Sequence, residues 1–158
     1  MAWAADKEAV KKVIQIQVPP CDIAALDETM LVRALAAATA RVESVLLFRG
    51  YDAAAIQADN TSNAFHFCDN LILNLAAVQV LEWLRANTPQ ASELNITAFR
   101  AATEVDLAAL RDRPRDVLGD FADIVTAPAP RPAALLFAST DDLDLAPAAT
   151  FTRASPKY

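Results

Sequence analysis

Histidine, cysteine and carboxylate come together once in this sequence, in Phe65-His66-Phe67-Cys68-Asp69. A thiol beside an imidazole is the material of a nucleophile–base pair, in which the ring takes the thiol proton and a third group orients the ring. The spacing opposes that chemistry. Residues two apart point to different sides of a helix, so His66 and Cys68 do not meet if this stretch is helical. A structural histidine at a helix start is the simpler assignment. His66 is the sole histidine, and the second cysteine, Cys21, stands far away with no metal-ligand spacing to Cys68. A structural zinc site within one chain is therefore not expected. The two cysteines would bridge only if the fold brought them together, and two reduced, partly buried thiols are expected.

The other candidates are weaker. Asp141-Asp142-Leu143-Asp144 offers oxygen ligands for calcium, but it lacks the spacing, the glycine and the closing glutamate of a calcium loop. Arg111, Arg113 and Arg115 would suit a phosphate, yet they alternate with Asp112 and Asp116, so self-compensating surface charge is the expected reading. With only two glycines in 158 residues, no glycine-rich phosphate cradle can form. No serine sits in a nucleophile elbow. Neither catalysis nor a cofactor is expected.

The elements that would position these residues are helical. A first helix over about Asp6 to Gln17 places Ala9, Val10, Val13 and Ile14 on one face, although Ile14-Gln15-Ile16-Gln17-Val18 also alternates like a strand. Pro19-Pro20 stops it. Asp27 is positioned to cap a second helix in which Leu31, Leu35, Ala38, Val42, Val45 and Leu46 recur at three- and four-residue steps, with Gly50 in the helix-ending position. A polar connector with the short apolar piece Ala53–Ile56 leads to a third helix, roughly Ala64 to Asn87, apolar almost all round from Leu71 to Leu84 and therefore expected to be surrounded. Its apolar stretch of about 14 residues is short for a bilayer span, and no signal peptide is recognisable at the start. A fourth helix, about Ile96 to Asp112, shows Ile96, Phe99, Thr103, Leu107 and Leu110 on one face, and Pro114 suits the first turn of a short fifth helix ending at Gly119 or Phe121. The fold class expected is mainly α: a bundle of four to five helices as a body over residues 1–125, followed by an extended C-terminal arm over 126–158.

That arm has a distinct composition. Five prolines punctuate the chain after Gly119, yet apolar runs such as Ala133-Ala134-Leu135-Leu136-Phe137 persist. Flexible linkers are rich in Gly and Ser and poor in large apolar residues, the reverse of this pattern. An arm lying on another surface is expected, with Leu135, Leu136, Phe137, Leu143, Leu145, Phe151 and Tyr158 as its interface residues and short strands near 135–139 and 150–153. The body has the complementary character. Alanine makes up roughly a fifth of the chain, which favours helix and leaves shallow apolar faces suited to helix–helix contacts between subunits. The hydrophobic fraction is 54% and the mean hydropathy +0.22. The whole net charge of −6 resides in residues 1–125, which argues against a broad nucleic-acid-binding face.

The layout of the body resembles a known family. A capped helix, Asp27-Glu28-Thr29-Met30-Leu31-Val32-Arg33-Ala34-Leu35 onward to Arg41-Val42-Glu43-Ser44-Val45-Leu46, runs into Phe48-Arg49-Gly50-Tyr51. A connector, the apolar helix Leu71–Leu84, Phe99-Arg100 to Leu110 and a terminal extension follow. Over about residues 20–120 this is similar to the head-to-tail connector (adaptor) proteins of tailed bacteriophages and phage-like particles. The resemblance implies a structural virion protein in the neck, made in the host cytoplasm, with no catalytic residues. It also implies a cyclic homo-oligomer of about 12 copies, with the portal protein and a tail or stopper protein as partners, DNA passing without specific contact, and no membrane. A small helical protein-binding or regulatory module, its C-terminal tail docked on a client, is the alternative from a different class.

Overall fold

The computed structural model describes residues 2–19, 21–22, 26–87 and 94–119. Six helices form among them: α1 (Lys7–Gln17), α2 (Glu28–Phe48), α3 (Ala53–Ala58), α4 (Asn63–Asn87), α5 (Thr97–Asp112) and α6 (Pro114–Leu118). No strand occurs among the described residues, and the alternating segment Ile14–Gln17 continues α1 as helix. Its apolar members explain why. Ile14 and Val18, four apart, are buried while Ile16 between them is 73% exposed, whereas a strand would put all three on one face. The arm, 126–158, lies outside the described residues, and with it every interface residue expected there, both strand expectations and the Asp141–Asp144 group.

Local signals set the boundaries. The Asp6 carboxylate accepts from the Ala9 amide at 2.7 Å at the start of α1, and Asp27 accepts from Thr29 at 2.9 Å at the start of α2. Asp52 does the same for Ala54 ahead of α3. Each satisfies one of the donors that a helix start leaves open. Helix α2 ends in a closed motif: the Gly50 amide donates to the Leu47 carbonyl and the Tyr51 amide to the Leu46 carbonyl. Gly50 stands at φ 82° to allow it, and buried Tyr51 and Leu46 provide the apolar contact that accompanies this geometry. Pro114 opens α6 at its first turn, and Gly119 ends it at φ 57°.

Helix directions follow from side-chain contacts. Lys7 and Lys11 reach Glu28 while Trp3, earlier in the chain, reaches Glu43, so the chain from Trp3 into the start of α1 runs opposite to α2. Arg41 pairs with Glu104 at 3.4 Å and Arg49 with Asp112 at 3.7 Å, so α2 and α5 run parallel. Arg100 on α5 meets Glu82 on α4 at 3.1 Å. The α2–α4 pairing is the most extensive in the body, and α1 and α5 each seat against both of its members.

Helix α4 occupies the middle. Leu71, Ile72, Leu75, Ala76, Val80 and Leu81 are buried on successive sides of it, as its all-round apolarity requires. The whole helix is 25 residues, longer than its apolar stretch, and by length and composition it reaches what a bilayer crossing needs. Here the apolar surface is taken by α1, α2, α5 and α6 instead. Its last turn emerges, leaving Trp83 40% exposed rather than enclosed. On α2 the buried stripe is Leu31, Ala34, Ala38, Val42 and Leu46. Ala34 belongs to it, while Leu35 and Val45 sit half-exposed at its edges. Small residues on the stripe, Ala34 and Ala38, let the neighbouring helix approach closely.

Candidate interaction surface

The residues with chemical potential at the start of α4 serve the fold. The Ser62 hydroxyl accepts from the Phe65 amide at 3.1 Å and caps the helix. His66 is exposed, its ring edge-on to Phe65 with centroids 5.8 Å apart. Cys68 is fully buried, and burial pushes its thiol pKa up to about 12. An exposed imidazole and a buried thiol on one helix are not a nucleophile–base pair, in agreement with their two-residue spacing. Asp69 turns to the N-terminal segment instead, accepting from the Ala5 amide at 2.8 Å. Partial burial raises its carboxyl above the ordinary range despite that bond. Cys21 is half-buried and free, its thiol pKa also raised by burial.

The arginine cluster behaves as self-compensating charge. Arg111 binds Asp112 at 2.9 Å, Arg49 approaches the same carboxylate, and Arg113 lies 4.0 Å from Asp116. These contacts lower the Asp112 pKa, chiefly through the Arg111 bond. No group of three or more His, Cys, Asp or Glu side chains able to hold a metal converges among the described residues. A cleft of about 410 Å³ between the end of α4 and the start of α5 is crossed by the Glu82–Arg100 ion pair, with Arg85 on its wall.

The surface with most to offer a partner is apolar and lies along α2. A shallow groove of about 490 Å³ has Val32, Ala36 and Ala40 on its floor and the N-terminal segment Ala2–Ala5 as its wall. Trp3 holds that wall in place. Its indole stacks on Phe65 with centroids 5.6 Å apart, and its Nε1 donates to Glu43 Oε1 at 3.0 Å. Gln57, buried on α3, donates to the same oxygen at 3.0 Å. Glu43 thus closes one end of the groove with a fixed carboxylate. At the C-terminal end of α2 stand Leu47 and Phe48, 71% and 80% exposed, and Val105 on parallel α5 is 65% exposed. The Arg49 guanidinium lies over the Phe48 ring, 5.5 Å from its centroid.

The alanine-rich composition points to shallow apolar faces on the body without placing this one. The interface residues expected by number, Leu135, Leu136, Phe137, Leu143, Leu145, Phe151 and Tyr158, all lie outside the described residues. The available signal was the outward spacing Val32, Ala36, Ala40 with Leu47 nearly in line, a second apolar stripe on a helix whose first stripe already fills the core. Trp3 ahead of a capped helix gave no hint of its long-range partner. No protein-family model, curated protein or solved structure matches this chain.

Proposed function

We propose that this chain is a ring-forming connector of a phage-type particle, joining the portal and capsid to the tail around the DNA path. The observation that supports this reading is the presence of two unlike apolar patches on one small all-helical body: the Trp3-walled groove and the Leu47–Phe48 corner. Closed rings are built from heterologous contacts, in which one patch meets a different patch on the next copy. The acidic balance of residues 1–125 suits a component that lets DNA pass without gripping it. In this reading the apolar arm, 126–158, crosses to a neighbouring subunit or to the portal or tail.

The test is the mass of the purified protein by light scattering across a concentration series, alone and with portal and tail proteins added. A ring-sized species, or a monomer that enters one when those proteins are present, is expected. A stable monomer or dimer indifferent to them overturns the connector reading and favours a helical protein-binding module whose tail docks on a client.

A further inference from the structure

Helix α2 carries both halves of a contact. Phe48, at 80% exposure, is the most exposed large apolar side chain among the described residues, and Leu47 beside it is nearly as bare. The groove supplies what such a corner needs. Its alanines at 36 and 40 leave room where larger side chains would fill it, and its volume of about 490 Å³ accommodates an aromatic ring and a leucine. The charges correspond as well. Arg49 flanks the corner and Glu43 ends the groove, and the Arg49–Asp112 pair at 3.7 Å is an exposed contact that exchanges at little cost.

The two halves cannot meet within one molecule. Ala36 and Leu47 lie on one continuous helix, about 16 Å apart along its axis. We infer that the Leu47–Phe48 corner of one copy seats in the Trp3-walled groove of a second copy, an inference that deepens the connector reading and rests on it. The contact joins unlike patches, so each copy has one corner and one groove to offer, and such contacts propagate until they close. A single one is small. An aromatic side chain buries about 150–250 Å², and a stable standard interface buries about 1,200–2,000 Å². Association through it is therefore concentration-dependent and is reinforced when several copies close together.

The test is disulfide trapping in the full chain, using Leu47→Cys with Ala36→Cys in a Cys21→Ala background. The engineered pair is too far apart to bridge within one chain, since disulfides need Cα atoms within about 7 Å. Mild oxidation is expected to give a ladder of covalent dimers, trimers and higher species on a non-reducing gel. Adding Phe48→Asp should remove most of the ladder while leaving helicity unchanged, because the side chain is exposed. Covalent dimers alone would overturn the inference, because they indicate a contact between like patches. An absent ladder, with the wild-type chain still oligomeric by light scattering, would overturn this contact and leave the connector reading standing. A wild-type chain monomeric at every concentration would overturn this contact, and only one that also stays monomeric with portal and tail proteins added would sink both.

Discussion

The indole of Trp3 and the carboxylate of Glu43, forty residues apart in sequence, are joined by a 3.0 Å hydrogen bond that ties the N-terminal segment to the middle of α2. Gln57 donates to the same carboxylate oxygen, so one acceptor organises three elements. Glu43→Ala leaves the half-buried indole N–H and the buried Gln57 amide without this partner. A loss of about 1–3 kcal/mol is expected in urea unfolding. Glu43→Gln keeps a side-chain oxygen for the two donors and should retain most of that stability. Equal losses for both variants would show that charge rather than acceptor geometry matters at this position.

Gly50 makes a separate prediction about where α2 stops. At φ 82° it occupies a conformation that costs residues with a Cβ about 1–2 kcal/mol. Gly50→Ala should destabilise by that amount, while Gly50→Asn, which tolerates the left-handed region better, should cost less. Thermal unfolding of the two variants measures the difference. An unchanged Tm for Gly50→Ala would mean that the α2 end relaxes into another cap.

The features most legible in the sequence are those set by local chemistry. Asp27, Gly50, Pro114 and Gly119 mark helix ends because capping and left-handed conformation depend on residues within a few positions. The all-round apolarity of Leu71–Leu84 placed α4 in the centre. What was illegible depends on contacts made across the fold. The outward stripe of α2 looks like ordinary alanine until Trp3 walls it, and Asp69 looks like part of a chemical cluster until it is seen holding the Ala5 amide. Periodicity also cannot tell which members of an apolar face lie at its edge, and Leu35 and Val45 share the spacing of the buried residues while standing half-exposed.

The cysteines predict a reactivity contrast. Cys68 is fully buried with its thiol pushed up to about 12, whereas Cys21 is half-buried. The thiolate is the reactive form, so a disulfide reagent at neutral pH should modify one cysteine per native chain, and that one slowly. The second should react only at the rate at which the body opens, and urea should accelerate it. Rapid modification of both in the native protein would contradict the burial of Cys68.

Asp69 gives a pH-dependent prediction. Desolvation raises its pKa above the ordinary 3.8, with Asp6 adding to the rise, while the Ala5 and Ala4 amides and His66 oppose it. Just above pH 3.8 the folded chain therefore holds a proton that the unfolded chain has released. The stabilisation linked to this group is complete below 3.8 and is lost as pH rises through the folded value. Asp69→Asn removes the titration and keeps an oxygen for the Ala5 amide. It should match the wild type in acid and become relatively more stable as pH rises. Because the carboxylate is only partly buried, the gain at neutral pH should stay under about 1 kcal/mol. Asp69→Ala, which abandons the amide, should instead cost about 1–2 kcal/mol in acid, and less as pH rises. Urea midpoints for the three proteins from pH 3 upward make the comparison. A difference between wild type and Asp69→Asn that stays flat with pH would show that the hydrogen bonds to the carboxylate cancel its desolvation.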